Sequence, residues 1–198
     1  MIQFYKPNPK VTGSACSFKL ALKDECIYLN FIKQATWNAE KKTGTFSSQS
    51  MNPQSTCAMK INTTEAGDII SSMRRNAEMS CFHESARQIV RMKFSPYLRP
   101  SKEDPNQRTQ VGFSLAISKE NKEDSQDKSS FIMGFTYGEA IKLESFLELS
   151  LTKIFDKLIQ DQDNKSAQGF SQSNQKNAPQ KEAPKAPVDA PLEDSDLW

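Results

Sequence analysis

The chain has 198 residues, with 26 Lys or Arg, 24 Asp or Glu and a formal net charge of +2. This length suits one ordinary domain plus an additional segment, because globular domains usually run to roughly 100 to 200 residues. No apolar run approaches the length of a transmembrane helix, and the opening residues MIQFYKPNPK lack the pattern of a signal or transit peptide. We therefore predict a cytoplasmic protein that does not enter a membrane.

Eight short stretches show the alternation of apolar and polar side chains that is typical of β-strands. In the first, ACSFKLAL, Cys16 and Phe18 fall on one face while Ser17 and Lys19 fall on the other. The others are CIYLNFIK, KTGTFSSQ, CAMKIN, EMSCFHES, RQIVRMKF, VGFSLAIS and SFIMGFT. We predict loops at YLRPSKEDPNQRT and KENKEDSQDKSS, and we assign Phe46 and Phe82 to the core.

Each group of four strands is followed by a helix, and the two helix starts align without gaps. They are MKINTTEAGDIISSM (59–73) and MGFTYGEAIKLESFL (133–147). Asn62 with Glu65, and Thr136 with Glu139, have the spacing of a capping box. We predict an α+β fold of two antiparallel four-stranded sheets, each followed by a helix (ββββα twice), and a disordered C-terminal tail.

The second predicted helix is too apolar to pack against one sheet alone. One apolar stripe along the helix surface contains Leu143, Leu147, Leu151, Ile154 and Leu158. The apolar surface is widened by four further residues, namely Phe146, Leu149, Phe155 and Ile159. We therefore predict a homo-oligomer, a dimer or tetramer, held partly by these helices.

The charge is divided unevenly between a domain at 1–160 and a segment at 161–198. The segment has four Lys against seven Asp or Glu, and the domain has 22 basic against 17 acidic side chains. Because the segment has few large apolar residues, it cannot offset the entropy of ordering, and we predict a disordered linker and acidic tip. The basic domain indicates either a polyanion partner or ordinary solubilising charge.

The sequence offers no pattern for catalysis, for a metal or for another cofactor. His83 is the single histidine, and the four cysteines include no Cys-x-x-Cys pair. None of the seven glycines belongs to a phosphate-binding loop. We predict a protein that is not an enzyme and has neither a metal nor a cofactor.

Cations and aromatic residues alternate along several predicted strands, most clearly in RQIVRMKF. This pattern suits single-stranded nucleic acid, because cations pair with phosphates while bases stack on aromatic rings. The candidate nucleic-acid-binding residues are Lys10, Lys19, Lys33, Trp37, Lys41, Lys42, Lys60, Arg87, Arg91, Lys93 and Tyr97.

About residues 5–160 resemble the Whirly family of single-stranded DNA-binding proteins. YKPNPKVTGSACSFKL is similar to the family's opening strand, with its Lys-Gly-Lys-Ala-Ala-Leu-Ser motif, and TWNAEKKTGTF is similar to its Trp-x-x-Lys-Lys segment. TTEAGDIISS resembles Thr-Glu-Val-Gly-Ser-Leu-Ile-Ser. EMSCFHES resembles the Cys-Glu-Phe-Phe-His-Asp strand, with Phe82 and His83 at corresponding places.

The resemblance implies paired four-stranded sheets, helices at the centre of a tetramer, and single strands bound along sheet edges with little sequence specificity and no catalysis. The end of the chain, PLEDSDLW, resembles the acidic tips of bacterial and phage single-stranded DNA-binding proteins. Such a tip implies docking on replication or repair proteins, with Asp194, Asp196, Leu197 and Trp198 as the contact residues.

These features predict a nucleoid-associated protein of a bacterial or phage-infected cell, which coats and protects single-stranded DNA in replication, recombination or repair. Two alternatives stay open. One is a transcription regulator or RNA chaperone on the same fold, and the other is an oligomeric scaffold that binds only protein. The scaffold predicts no salt-dependent affinity for nucleic acid.

Overall fold

The computed structural model describes residues 1–176 apart from 102, 103, 105 and 125, and it describes side chains through residue 166 apart from residue 48. Contacts divide the chain into a compact unit, Met1–Leu158, and a second unit that begins at Ile159. Within the described ranges, neither helix combines the length and apolarity that a bilayer-spanning helix requires.

The first sheet is antiparallel and has the strand order β1-β2-β3-β6. Its strands are β1 (Ile2–Lys6), β2 (Ser14–Ala21), β3 (Cys26–Lys33) and β6 (Thr56–Ile61). Between β3 and β6 the chain forms a separate hairpin of β4 (Thr36–Asn38) and β5 (Thr43–Thr45). Short 3₁₀ turns occupy Leu22–Asp24 and Ser47–Gln49.

The second sheet is also antiparallel and has the strand order β10-β9-β8-β7. Its strands are β7 (Met79–Glu84), β8 (Gln88–Pro100), β9 (Arg108–Asn121) and β10 (Lys128–Phe135). Helix α1 (Thr63–Arg75) follows the first sheet, and helix α2 (Tyr137–Lys176) follows the second. The predicted α+β class, with two four-stranded sheets each followed by a helix, is confirmed.

The inner faces of both sheets and the buried faces of both helices contribute to one core. Phe31 of the first sheet packs against Phe131 of the second with 5.9 Å between ring centroids, and Phe4 packs edge-on against Phe135 at 4.9 Å. Leu143 and other residues of α2 are also buried in this core. Each sheet thus packs one face inward and exposes the other face.

Both predicted capping boxes form. In the first, the Glu65 N–H donates to Asn62 Oδ1 at 2.9 Å, and the Asn62 N–H donates to Glu65 Oε2 at 3.0 Å. In the second, the Thr136 N–H donates to Glu139 Oε2 at 2.8 Å, and the Glu139 N–H donates to Thr136 Oγ1 at 3.3 Å. The side chains supply acceptors for backbone N–H groups that the first helical turn leaves without partners.

Glu139 also joins α2 to β1, because Lys6 Nζ lies 2.6 Å from its Oε2. Partial burial of the Glu139 carboxyl raises its pKa, but hydrogen bonds from Lys6 and Thr136 outweigh burial and hold the pKa below its usual value. A lowered folded-state pKa contributes stability above the unfolded pKa of about 4.3, and this stability is lost as the pH falls through the folded value.

We expect Glu139→Gln to lower the free energy of unfolding by about 1 kcal/mol at pH 7, because it removes the charged partner of Lys6 and weakens the helix cap. The difference from the unaltered protein should be smaller near pH 3, because the Glu139 carboxyl takes up a proton as the pH falls through its lowered folded-state pKa. Urea unfolding at the two pH values measures it. Glu40→Gln, at an exposed residue of the β4–β5 turn, is the control, and an equal loss at both pH values would contradict the assignment.

Three expectations about the strands are wrong. KTGTFSSQ is not a strand of either sheet, because only Thr43–Thr45 is extended and it pairs with β4. Ile2–Lys6 takes its place at the edge of the first sheet. The long loops are also shorter than predicted, since β8 and β9 pair as far as Pro100 and Arg108. The hairpin can extend this far because its strands pair their backbone N–H and C=O groups with each other, even where the side chains are exposed.

Two further expectations differ from the structure. Phe82 is 64% exposed, because β7 turns Met79, Cys81 and His83 inward and Phe82 outward. Helix α2 continues to Lys176, so it extends into the segment at 161–198 that was predicted to be disordered. Propagating an existing helix costs far less than starting one, and the first proline after its start is Pro179.

Candidate nucleic-acid interface

The outer face of the second sheet carries a groove of about 500 Å³. Pairing aligns Phe82 with Arg91 and Ser118, and in the next row it aligns Lys93 with Ala116 and Ile132. Small side chains form the groove floor, while Phe82, Arg91, Lys93 and Ile132 rise around it. Ile132 is 66% exposed, so the groove has apolar and cationic walls that are open to solvent.

A second groove of about 460 Å³ shares Ile132 and continues along the same face. Tyr97 and Arg99 line it, and the Arg99 guanidinium lies 5.1 Å from the centroid of the Tyr97 ring. Gly134 lies beneath this ring, where a Cβ would come within 3.7 Å of it. The outer face of the second sheet therefore offers two successive places with an apolar surface and a cation.

The outer face of the first sheet carries a comparable groove of about 430 Å³. Tyr5 and Phe46 lie on its wall, with 5.9 Å between their ring centroids. Its lining again includes small side chains, namely Ala15, Ser17 and Ala58, together with Asn30 and Ile32 of β3. Beyond its end, the strand pairing aligns Lys19 with Tyr28 and Lys60.

Tyr5 and Phe82 occupy equivalent positions in the two sheets. The pairing connects Tyr5 through Ala15 and Ile32 to Thr56, three residues before Met59. It likewise connects Phe82 through Arg91 and Ser118 to Ser130, three residues before Met133. Met59 and Met133 are the residues that align in the two helix starts. Each sheet therefore presents an aromatic ring from its edge strand, 55% exposed for Tyr5 and 64% for Phe82.

The cations of the two faces differ in their ion pairing. On the second sheet, an Arg91 guanidinium nitrogen lies 3.2 Å from Glu120 and Lys93 Nζ lies 2.7 Å from Glu78. On the first sheet, no carboxylate among the described residues forms an ion pair with Lys19 or Lys60. An anionic ligand on the first sheet can therefore pair directly with Lys19 and Lys60. On the second sheet it must displace the carboxylates from Arg91 and Lys93, and such exposed ion pairs are weak.

The other candidate residues lie away from these grooves. Lys10, Lys41 and Lys42 are exposed in the β1–β2 loop and the β4–β5 turn. The buried Gln34 joins these segments, since its side chain bonds with the Asn8 N–H and with the carbonyls of Asn8 and Thr36. Their lysines thus share one end of the first sheet.

Trp37 is half-buried on β4, and Arg87 is exposed in the β7–β8 turn. Lys33 follows the inward face of β3, and its Nζ lies 5.1 Å from the Phe131 ring centroid. The structure therefore brings Lys19 and Lys60 together on one face and Arg91, Lys93 and Tyr97 together on the other. It does not bring Lys33, Trp37 or Arg87 to either group.

Five groove residues are not among the candidates that the sequence predicts, namely Tyr5, Phe46, Phe82, Arg99 and Ile132. One signal could have found Phe82: it lies between Cys81 and His83, so a strand with those two inward must turn it outward. The partner-binding candidates Asp194, Asp196, Leu197 and Trp198 lie outside the described residues.

Comparison with solved structures finds matches along most of the chain. WHY1 from Arabidopsis thaliana has a TM-score of 0.54 at 16% identity, with 84% of this chain and 90% of that chain covered. The plant transcriptional regulator PBF-2 has a TM-score of 0.52 at 15% identity, with 82% and 85% covered. WHY3 from Arabidopsis thaliana has a TM-score of 0.52 at 15% identity, with 84% and 94% covered. The chain has the Whirly fold.

The Whirly fold is recognised from the arrangement of the backbone, since sequence comparison gives no support at this distance. No family model matches the sequence, and no curated protein matches it significantly. The resemblance of the motifs in residues 5–160 to Whirly proteins is thus confirmed at the level of the fold. The likeness of the last residues to acidic tips stays a prediction.

Proposed function

We propose that the chain binds single-stranded DNA with little sequence specificity, through the outer grooves of its two sheets. The observation that carries this proposal is the equivalent placement of Tyr5 and Phe82, each exposed beside small side chains on the outer face of its sheet. Arg91 and Lys93 line the groove at Phe82, and Lys19 and Lys60 lie beyond the end of the groove at Tyr5. Every base has a face that can stack on an aromatic ring, whereas a base paired within a duplex does not expose it. The grooves therefore favour single strands over duplex.

The same arrangement suits coating more than sequence recognition or catalysis. Stacking and phosphate pairing depend little on base identity. We propose that the protein is not an enzyme, and that it covers and protects single strands during replication, recombination or repair. The acidic tip would then recruit a replication or repair protein, with Trp198 as the apolar anchor.

We further propose that the chain is a homo-oligomer, with α2 in the contact. Leu149 and Phe155 lie on α2 and are 55% and 50% exposed. Large apolar side chains that stay open to water on a helix are typical of a protein-protein contact. A second copy offers the same surface, as a symmetric contact requires.

Salt dependence of binding tests the electrostatic part of the proposal. If Lys19, Lys60, Arg91 and Lys93 each neutralise one phosphate, the logarithm of the affinity should fall with the logarithm of salt concentration with a slope of about −2.8. A fourfold rise in salt would then weaken binding about 50-fold. Fluorescence anisotropy of labelled oligo-dT measures this slope.

The matched variants are Lys60→Gln and Lys93→Gln, each of which should reduce the slope by about 0.7. Glu40→Gln serves as a control, because Glu40 is exposed in the β4–β5 turn and lines none of the three grooves. The absence of any salt-dependent binding would reject the nucleic-acid function and leave the protein-binding scaffold. Truncation after Lys176 separates the tip from the grooves, and we expect binding to be retained or strengthened without it.

A transcription regulator or RNA chaperone is the second candidate. The likeness of the fold to the plant transcriptional regulator PBF-2 favours the first of these. Parallel titrations with single-stranded DNA, duplex DNA and RNA of one sequence distinguish them. Preference for a duplex promoter would favour regulation, and equal or tighter binding to RNA would favour a chaperone.

A further inference from the structure

Three side chains from two elements bring metal-binding atoms together behind β7. Cys81 and His83 lie two positions apart on this strand, so both face inward, and Glu65 lies in the first turn of α1. His83 Nε2 lies 2.6 Å from Glu65 Oε1. The donor atoms of all three residues lie within 4.8 Å of one another. Sulfur, nitrogen and oxygen ligands therefore converge in one place.

The Glu65 carboxylate accepts a hydrogen bond from the Asn62 N–H and contacts His83, but its compensation by a full positive charge depends on the protonation of His83. Glu65 is only 8% exposed, and a buried carboxylate is costly unless a positive charge and hydrogen bonds compensate it. Among the described residues, no Lys or Arg forms an ion pair with Glu65, and the imidazole of His83 is charged only when protonated. A divalent cation would balance the carboxylate and a Cys81 thiolate together.

The backbone around Glu65 already fixes the direction of its carboxylate. The Asn62 N–H donates to Oε2 at 3.0 Å, which leaves Oε1 directed at His83. Hydrogen bonds of this kind orient the ligands of a metal site and are worth about 10- to 100-fold in metal affinity. A cavity of about 160 Å³, lined by Met59, Lys60 and His83, reaches one of the three proposed ligands.

We propose that Glu65, Cys81 and His83 bind a zinc-class transition-metal ion, with a water molecule as the fourth ligand. A thiolate with an imidazole favours such an ion over magnesium or calcium, which prefer oxygen ligands. Zinc requires ligand distances of roughly 2.0 to 2.3 Å, so the His83 and Glu65 donors, which lie 2.6 Å apart, would have to separate to admit the ion. On binding, the sulfur–hydrogen bond of Cys81 breaks, the sulfur keeps the electron pair and ligates the ion, and the proton passes to solvent.

The metal would tie β7 to the start of α1 beneath Phe82, which lies between two of the ligands on the opposite face of the strand. Burial and the nearby Glu65 carboxylate raise the pKa of the Cys81 thiol to about 12. The thiol therefore keeps its proton in the metal-free protein, and the ion must displace it. Since Glu65 also caps α1, metal binding would stabilise both elements.

Titration of the full chain with Co²⁺, a spectroscopic substitute for zinc, tests this proposal without nucleic acid and therefore independently of the proposed function. We expect one equivalent to produce a thiolate-to-cobalt absorption band that one equivalent of zinc removes. An excess of magnesium or calcium should leave the band unchanged. Zinc should also raise the unfolding temperature of the unaltered protein.

The variants assign the ligands. Cys81→Ser should abolish the band, and His83→Gln should lower the affinity for cobalt at least tenfold. Cys57→Ser, which removes a thiol of β6 outside the cluster, should keep it. The absence of the band, or its persistence in Cys81→Ser, would overturn the proposal and leave only the contact between Glu65 and His83. If Cys81→Ser fails to fold, two other measurements decide. A lower cobalt affinity in His83→Gln and a higher unfolding temperature with zinc support the site. An unchanged affinity in His83→Gln, or no effect of zinc on the unfolding temperature, rejects it.

Discussion

Replacement of both Tyr5 and Phe82 by alanine is expected to weaken binding of single-stranded DNA by about 30-fold or more. Each ring is exposed on the outer face of its sheet, at 55% and 64%, and is free to stack with a base. Stacking contributes about 1 to 3 kcal/mol per base, and every 1.4 kcal/mol is tenfold in affinity. The double variant should therefore lose at least about 2 kcal/mol.

Neither substitution should damage the fold, because both side chains point away from the core. Anisotropy of labelled oligo-dT at one salt concentration measures the loss, and urea unfolding confirms that the stability of the variants is retained. The single variants show whether the two equivalent grooves contribute equally.

Met51→Ala is the matched control, since it removes a large apolar side chain that is 92% exposed outside both grooves. It should leave the affinity unchanged. If Tyr5→Ala and Phe82→Ala also leave the affinity unchanged, the bases of a single strand do not stack on these two rings. The lysines of the β1–β2 loop and the β4–β5 turn then become the next place to test.

The helices and the second sheet could be predicted from the sequence because their signals are local. Asn62 with Glu65 and Thr136 with Glu139 carry the capping chemistry within four residues. Strand β1 is not predicted, because five residues at the edge of a sheet contain too few alternations of apolar and polar side chains to be recognised. In KTGTFSSQ, the alternation of apolar and polar side chains predicts an extended backbone but does not determine which strand it pairs with. The structure pairs its extended part with β4, outside both four-stranded sheets.

The candidate site could be predicted only in part. Arg91 and Lys93 were placed on one outward face, because the alternation in β8 buries Val90, Met92 and Phe94. A single aromatic residue is more often buried than exposed, which predicts a core position for Phe82, but packing decides which face of β7 is buried. The cluster of Glu65, Cys81 and His83 depends on how α1 lies against β7, which no local spacing reveals.

Substitution of Phe155 or Leu149 by glutamate is expected to dissociate the proposed homo-oligomer. The buried face of α2 includes Leu143, Leu147 and Ile154, which are at most 1% exposed. Leu149 and Phe155 lie outside that face and are about half exposed. A charge that is buried without a partner at a contact costs several kcal/mol, enough to shift the assembly by orders of magnitude.

Light scattering coupled to size-exclusion chromatography should report the mass of one chain for the variants and a multiple of it for the unaltered protein. Thr109→Glu is the control, because it introduces the same charge at an exposed residue of β9, outside α2. A single-chain mass for the unaltered protein would reject the oligomer and require another partner for this face. Unchanged assembly in both variants would place the contact elsewhere. If dissociation also weakens binding of single-stranded DNA, grooves from neighbouring copies act on one strand, since linked sites bind more tightly than separate ones.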